Sequence, residues 1–320
     1  MIKITARLRA FIEELPHFGF FIAITNMLWS LIAKLPECIG HSIMEKKHVS
    51  VFRFIRKTIG DNIPIEMNEC EIKHHFPSPP IWVCWLQGED LMPDLCKTCM
   101  RSLRIHAGQH PVIVITEQNF KDYCFIPQYI IDKYKNGIIK SAHFADIIRT
   151  CLLYENGGLW IDATIFVKKD LPEEIFESSY YSIKFPNKGF YITECKWSNY
   201  FLSAKPLSPW YAYVRNCFFA YLQKESRFVD YFMMDYLMKM AYNADDSIKK
   251  EVDEIPYNNI DALSVTKYLS LPIDKEKKAV LNGDTYLFKL SWRLKPLEKF
   301  EGKLTVWTYL QQQFFGNSMQ

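Results

Sequence analysis

The sequence predicts an α/β protein with a Rossmann-type, mostly parallel sheet flanked by helices, preceded by an N-terminal helical extension. Three observations point there. Short apolar runs at Ile81–Leu86, Pro111–Thr116 and Leu159–Val167 read as strands buried on both faces. Helical patterns separate them, so strand, helix and strand recur in order. The 320 residues are 49% hydrophobic and 15% aromatic, enough for a substantial core.

Residues 1–70 read as an amphipathic helical segment and residues 71–320 as the main domain. Residues 1–60 hold nine Lys/Arg against four Asp/Glu, so the basic excess sits at this end. Ile4, Leu8, Phe11, Ile12 and Leu15 share one helical face. From Leu15 to Ala33 there is no Asp, Glu, Lys or Arg, yet Pro16, His17, Gly19 and Asn26 interrupt the run. A spanning helix needs ~20 predominantly apolar residues, so this stretch is a poor span. Glu13 and Glu14 before it argue against a secretory signal. Val51, Phe52, Phe54 and Ile55 are mixed with Arg53, Arg56 and Lys57. Two readings stay open: these helices lie on an anionic membrane surface, or they cover the main domain. The net charge of +3 is too mild to argue for nucleic acid.

The nine cysteines are odd in number and scattered, among them Cys70, which reads as reduced thiols in a cytoplasmic protein. Cys96 and Cys99 form a C-x-x-C without a second pair or nearby His, so a buried helical face with Leu103 is expected rather than a zinc site.

In the main domain, Ile81–Leu86 is the first strand, bounded by Pro80 and Gly88. The run "MPDLCKTCMRSLRIHAG" is a helix with Pro93 near its first turn and Gly108 past its end. Pro111–Thr116 is the second strand. "FIPQYIIDKYKNG" gives a short helix. "SAHFADIIRTCLLYENGG" gives a longer one, with Ser141 as N-cap and Asn156-Gly157-Gly158 as the stop. "LWIDATIFV" is then a third strand. Its alternation puts Leu159, Ile161, Ala163, Ile165 and Val167 on one face, and Trp160, Asp162, Thr164 and Phe166 on the other. "SSYYSIKFPNKGF" and "WSNYFLSAKP" look like the far half of the sheet. "PWYAYVRNCFFAYLQKE" and "VDYFMMDYLMKMAYN" are helices, the second carrying Asp230 and Asp235 among Met and aromatic residues. "DTYLFKLSWRLK" is a late strand or loop with Lys289, Arg293 and Lys295.

An acid inside an apolar strand is costly unless paired. Asp146 and Arg149 stand about one turn apart on the helix that runs into the Asp162 strand, and ligands in open α/β sheets bind beyond the carboxyl ends of strands. On pattern alone the alternatives are ordinary: an i,i+3 surface pair for Asp146–Arg149, a turn cap for Asp162, core aromatics for Trp85 and Trp160.

The sequence Asp146-x-x-Arg149, Leu153-Tyr154, Gly157-Gly158, Trp160, Asp162 resembles the capsular polysaccharide synthesis proteins. These belong with the DXD-motif sugar transferases related to yeast-type mannosyltransferases and clostridial glucosylating toxins. "PPIWVCWLQGED" is similar to that family's opening strand. The resemblance covers residues 78–172 through specific motifs and 173–295 more loosely. It implies a GT-A-like fold and a hexosyltransferase, usually retaining, that moves a sugar from a nucleotide-sugar donor to a bacterial cell-surface polysaccharide or lipid-linked oligosaccharide. UDP is the expected nucleotide. By motif position Trp85 would stack the base, Asp146 and Arg149 would hold sugar and ribose hydroxyls, and Trp160 would line the ribose. Asp162 would contact ribose, sugar or metal. Ser291 and Trp292 are further donor-side candidates with Lys289 and Arg293, and Asp235 is a candidate acid near the acceptor.

The chemistry asks for such residues. A nucleotide sugar needs an aromatic face, hydroxyl acceptors and positive charge for its diphosphate, which Mn or Mg commonly supplies. The sequence departs from the family pattern at Thr164, where the second DXD acid is generally the direct metal ligand. Three outcomes follow: Asp162 binds the metal alone or through water, another acid such as Asp235 substitutes, or Lys/Arg cations replace the metal. Metal use with Asp162 is the expectation. A catalytically degenerate nucleotide-sugar binding or assembly protein is the competing function. The expected location is cytoplasmic, peripheral on the inner membrane if the N-terminal helices meet lipid.

Overall fold

The structure, a computed structural model, describes residues 2–60, 76–186 and 190–316. Cys70 and the expected boundary at residue 70 lie outside them, as does the side chain of Ile4. Three helices come first: α1 (Ile2–Phe18), α2 (Phe20–Ile32) and α3 (Glu37–Ile59). Then follow β1 (Ile81–Cys84), α4 (Asp94–His106), β2 (Val112–Ile115), α5 (Phe120–Tyr123), α6 (Gln128–Lys135), α7 (Ser141–Glu155) and β3 (Gly158–Ile161). The remainder used below comprises β4 (Ile165–Val167), α8 (Glu174–Glu177), β5 (Tyr180–Ser182), β6 (Phe201–Ala204), α9 (Pro209–Lys224), α10 (Met233–Ala244) and β7 (Leu287–Lys289).

The main sheet has five strands in the order β2-β1-β3-β6-β5. β1 pairs parallel with β2 and β3, and β6 pairs antiparallel with β3 and β5. Four strands therefore run one way and β6 opposes them, as expected for an α/β protein with a mostly parallel sheet. Side-chain alternation divides the core. Ile81, Val83, Leu159 and Ile161 pack with α4 on one face, while Trp82 and Trp160 pack with α7, α9 and α10 on the other. Cys96, Cys99 and Leu103 are buried in the first of these cores, as read from the sequence.

The two glycines before β3 have a definite reason. Gly157 and Gly158 both have positive φ, 65° and 89°. A Cβ on Gly158 would lie 2.3 Å from the Pro80 carbonyl oxygen, and one on Gly157 2.7 Å from that of Ala204. Glycine alone lets the end of α7 turn directly into the centre of the sheet.

Three expectations are corrected. The run Leu159–Val167 is two strands, not one. The chain turns at Asp162-Ala163-Thr164, closed by the Ile165 N–H donating to the Asp162 carbonyl at 2.9 Å. β4 then leaves the main sheet to pair antiparallel with β7. Phe166 accordingly packs in the α4-side core with Ile165 and Val167, not beside Trp160. A strand buried on both faces is apolar at every position, so alternation alone could not reveal the turn. Second, β1 ends at Cys84, and Trp85 and Leu86 lie beyond it. Third, Ser141 is not the N-cap of α7: Lys140 occupies that position, its carbonyl accepting from Phe144 N–H at 2.9 Å.

The N-terminal helices join the main core unevenly. Met44, Val51, Ile55 and Ile59 of α3 are buried, as are Phe18 and Ile22, while Leu8, Ile12, Leu15, Phe20 and Leu31 stay exposed. Among the described residues no helix is long and apolar enough to cross a membrane.

Candidate donor-binding cleft

A cleft of about 630 Å³ opens beyond the carboxyl ends of β1 and β3. Its lining includes Trp85, Asp146, Arg149, Trp160, Asp162, Thr164, Asp235, Lys289 and Trp292. The chain thus gathers residues from five separate stretches at the place where open α/β sheets bind ligands. Each arrives by a short local route. Trp85 is the first residue past β1. Asp162 is the first past β3. Asp146 and Arg149 sit one turn apart on α7. Asp235 is in the first turn of α10.

Arg149 is the hub. Its Nη2 lies 3.2 Å from Asp146 Oδ1 and 3.8 Å from Asp162 Oδ1. Its Nη1 donates to the Asn199 carbonyl at 2.6 Å, and the guanidinium lies 4.5 Å over the Trp160 ring. The Trp160 indole N–H donates to Asp162 Oδ1 at 3.0 Å. Lys289 donates to Asp162 Oδ2 at 2.8 Å and to Thr164 Oγ1 at 2.6 Å. The acid that looked isolated in the sequence is held by two cations and an indole.

Burial shapes the protonation of the three acids in different directions. Burial would push Asp162 up, but the charges of Lys289 and Arg149 and its hydrogen bonds hold it below the ordinary value. Asp146 is pushed up to about 6, chiefly by burial, with Arg149 opposing. Asp235 is pushed up to about 7, again chiefly by burial, opposed by the Trp197 indole N–H that donates to it at 2.9 Å. Four buried polar atoms of cleft-lining residues have no hydrogen-bond partner among the described residues: the Trp85 indole nitrogen, Arg149 Nε, Asn199 Oδ1 and the Tyr200 hydroxyl. Such atoms are costly unless a ligand or water meets them.

The candidates separate cleanly by position. Trp85, Asp146, Arg149, Trp160, Asp162, Asp235 and Trp292 all line the cleft. Ser291 does not line it; its carbonyl accepts from Leu294 N–H at 3.0 Å in a turn. Asp230 points away and pairs with Lys47. The sequence reading missed the part of Trp197-Ser198-Asn199-Tyr200. That run supplies the Asn199 carbonyl to Arg149, the Tyr200 carbonyl to Asp162 N–H at 3.0 Å, and the Trp197 indole to Asp235. Because β6 runs antiparallel to β3, with Phe201 opposite Ile161, its start lies beside the end of β3. Only the strand order discloses that.

The residues do not fit a divalent metal centre. A Mg or Mn ion wants several oxygen ligands, and the motif brings one carboxylate. Both oxygens of Asp162 are already committed, and the Thr164 hydroxyl accepts from the same ammonium. Among the described residues no group of three or more His, Cys, Asp and Glu is arranged to hold a metal.

No curated protein and no solved structure matches the chain. The family described as capsular polysaccharide synthesis protein matches residues 34–310, so the match takes in the whole of α3 and runs forward past β7. The cleft, its Gly-Gly entry and that match across most of the sequence make this chain a member of the capsular polysaccharide synthesis protein family.

Proposed function

We propose that the protein is a glycosyltransferase that uses a nucleotide-sugar donor, UDP-linked in the first instance, to extend a cell-surface polysaccharide or lipid-linked oligosaccharide with retention of configuration. Membership of the family gives the process, polysaccharide synthesis. The observation that carries the enzymatic reading is the convergence of Asp146, Arg149, Trp160 and Asp162 at the carboxyl end of β3, beside the unpartnered Trp85 indole.

In the transfer, the bond from sugar C1 to the diphosphate oxygen breaks and its electron pair stays on that oxygen. C1 bonds to the acceptor oxygen, whose proton passes to the departing diphosphate. This chain's residues bind and orient. Arg149, fixed on both sides by Asp146 and the Asn199 carbonyl, presents donors toward sugar or ribose hydroxyls. Trp85 offers an aromatic face and a free indole N–H. Asp235, which burial raises to about 7, is the alternative destination for that proton.

The test is a screen of UDP- and GDP-sugars for hydrolysis and transfer by the full chain. Asp162→Asn and Arg149→Ala are expected to lower turnover by about a hundredfold or more, the usual scale for removing one electrostatic partner of a reacting group. Donor binding with no turnover would instead favour a binding or assembly protein, a reading that the threonine at position 164 motivates. Turnover undiminished in both variants would refute the site.

A further inference from the structure

Where a D-x-D motif offers two acids, this chain offers Asp162 and Thr164, and the structure puts an ammonium between them. Lys289 Nζ contacts Asp162 Oδ2 and Thr164 Oγ1 at 2.8 and 2.6 Å. Its position is fixed by backbone. β4 and β7 pair antiparallel with Ile165 opposite Lys289, and the Leu290 N–H donates to the Thr164 carbonyl at 2.9 Å. An ammonium has three N–H donors, and these two contacts use two of them. The side chain is 24% exposed and lines the cleft, where the ammonium also lies 5.5 Å from the Tyr200 ring centroid, so one N–H remains for a ligand.

The threonine is informative on charge. A second aspartate at position 164 would neutralise Lys289 further. A hydroxyl orients the ammonium without cancelling it. Asp162, in turn, is shared between Lys289 and Arg149, and Arg149 has a nearer carboxylate in Asp146, at 3.2 Å against 3.8 Å.

We propose that Lys289 is the fixed cation of the donor site. Held by Asp162 and Thr164, its ammonium meets the diphosphate oxygens and takes the place of a divalent ion, so the donor binds without added metal. As the C1–O bond breaks, the charge left on the diphosphate falls against this ammonium, which is positioned before the reaction begins. The inference rests on the glycosyltransferase reading.

The experiment is calorimetric binding of UDP and of GDP to the full chain, in EDTA and in excess Mn or Mg. For the nucleotide that binds, the wild-type Kd is expected to agree within about twofold across buffers. Lys289→Ala is expected to weaken binding about tenfold, the scale of one charge-assisted hydrogen bond, while Lys289→Arg keeps most of the affinity. The double variant Lys289→Ala/Thr164→Asp, which restores two acids and removes the ammonium, is expected to bind only with Mn or Mg. Wild-type binding that tightens tenfold or more with metal overturns the inference and leaves the donor site standing. Unchanged binding by Lys289→Ala overturns it equally. If neither nucleotide binds in any buffer, the donor-site reading fails and this inference with it. The EDTA comparison uses the wild-type chain, so it decides the matter even where Lys289→Ala does not fold.

Discussion

Asp235 is a carboxylic acid 4% exposed, with the Trp197 indole as its close partner. Its value of about 7 stands above the ordinary 3.8, so the folded state holds the proton more tightly than the unfolded chain. The sign follows: this group favours folding below the unfolded value and turns progressively against it as pH rises toward about 7. Asp235→Asn keeps an acceptor oxygen for Trp197 and removes the charge. The variant should match wild type in melting temperature near pH ~4 and exceed it by a few degrees above neutrality, ~1–2 kcal/mol. A difference that does not vary with pH would show that Asp235 is ionised throughout. At this scale the sequence was partly legible. Asp146, Arg149, Trp160 and Asp162 fall within one helix–strand unit, where spacing alone predicts proximity. The Arg149–Asn199 and Lys289–Asp162 contacts span 50 and 127 residues, and local pattern says nothing of them.

Secondary-structure elements meet the site through the hand-over from α7 to β3. Gly158 opens β3 against Pro80, and its φ of 89° is one that other residues adopt only with strain. Gly158→Ala should cost on the order of 2–3 kcal/mol, read by urea denaturation, since positive φ and a backbone clash act together. A loss below half a kcal/mol would mean that Pro80 yields easily. The Gly-Gly stop was visible in the sequence because glycine after a helical pattern is a specific signal. The turn at Asp162-Ala163-Thr164 was not, because Ile161, Ala163 and Ile165 are all apolar and buried whichever sheet they join. The turn is nevertheless what matters: it separates β3 from β4 and lets β7 reach the acid.

For the whole molecule, the informative contact is the ion pair of Lys47 on α3 with Asp230 before α10, at 2.5 Å with both side chains 95% or more buried. Asp230 also accepts from the Phe232 N–H at 2.8 Å, and Tyr231 and Phe232 form one wall of the cleft. Removing one member of a buried pair strands the other charge, so Lys47→Ala should destabilise the fold by about 3–5 kcal/mol. Lys47→Met with Asp230→Asn should recover part of that. Equal loss in the double variant would show that the Asp230 carboxylate acts through its turn rather than through Lys47. Periodicity identified the N-terminal helices but could not say which faces would be covered. In the event α3 joins the core with Val51, Ile55 and Ile59, while Leu8 and Ile12 of α1 remain open to solvent.

The β4–β7 pairing has a consequence for the order of events during synthesis. Asp162 emerges from the ribosome long before Lys289, and the two meet only when a strand 127 residues later has docked. Contacts so distant in sequence form late, after the entropy of closing the intervening chain has been overcome. The nascent protein therefore carries its aromatic and acidic half-site, α7 and β3, well before it has the second cation. Docking of the C-terminal segment is the step that brings the second cation, Lys289, to Asp162 and completes the lining of the cleft.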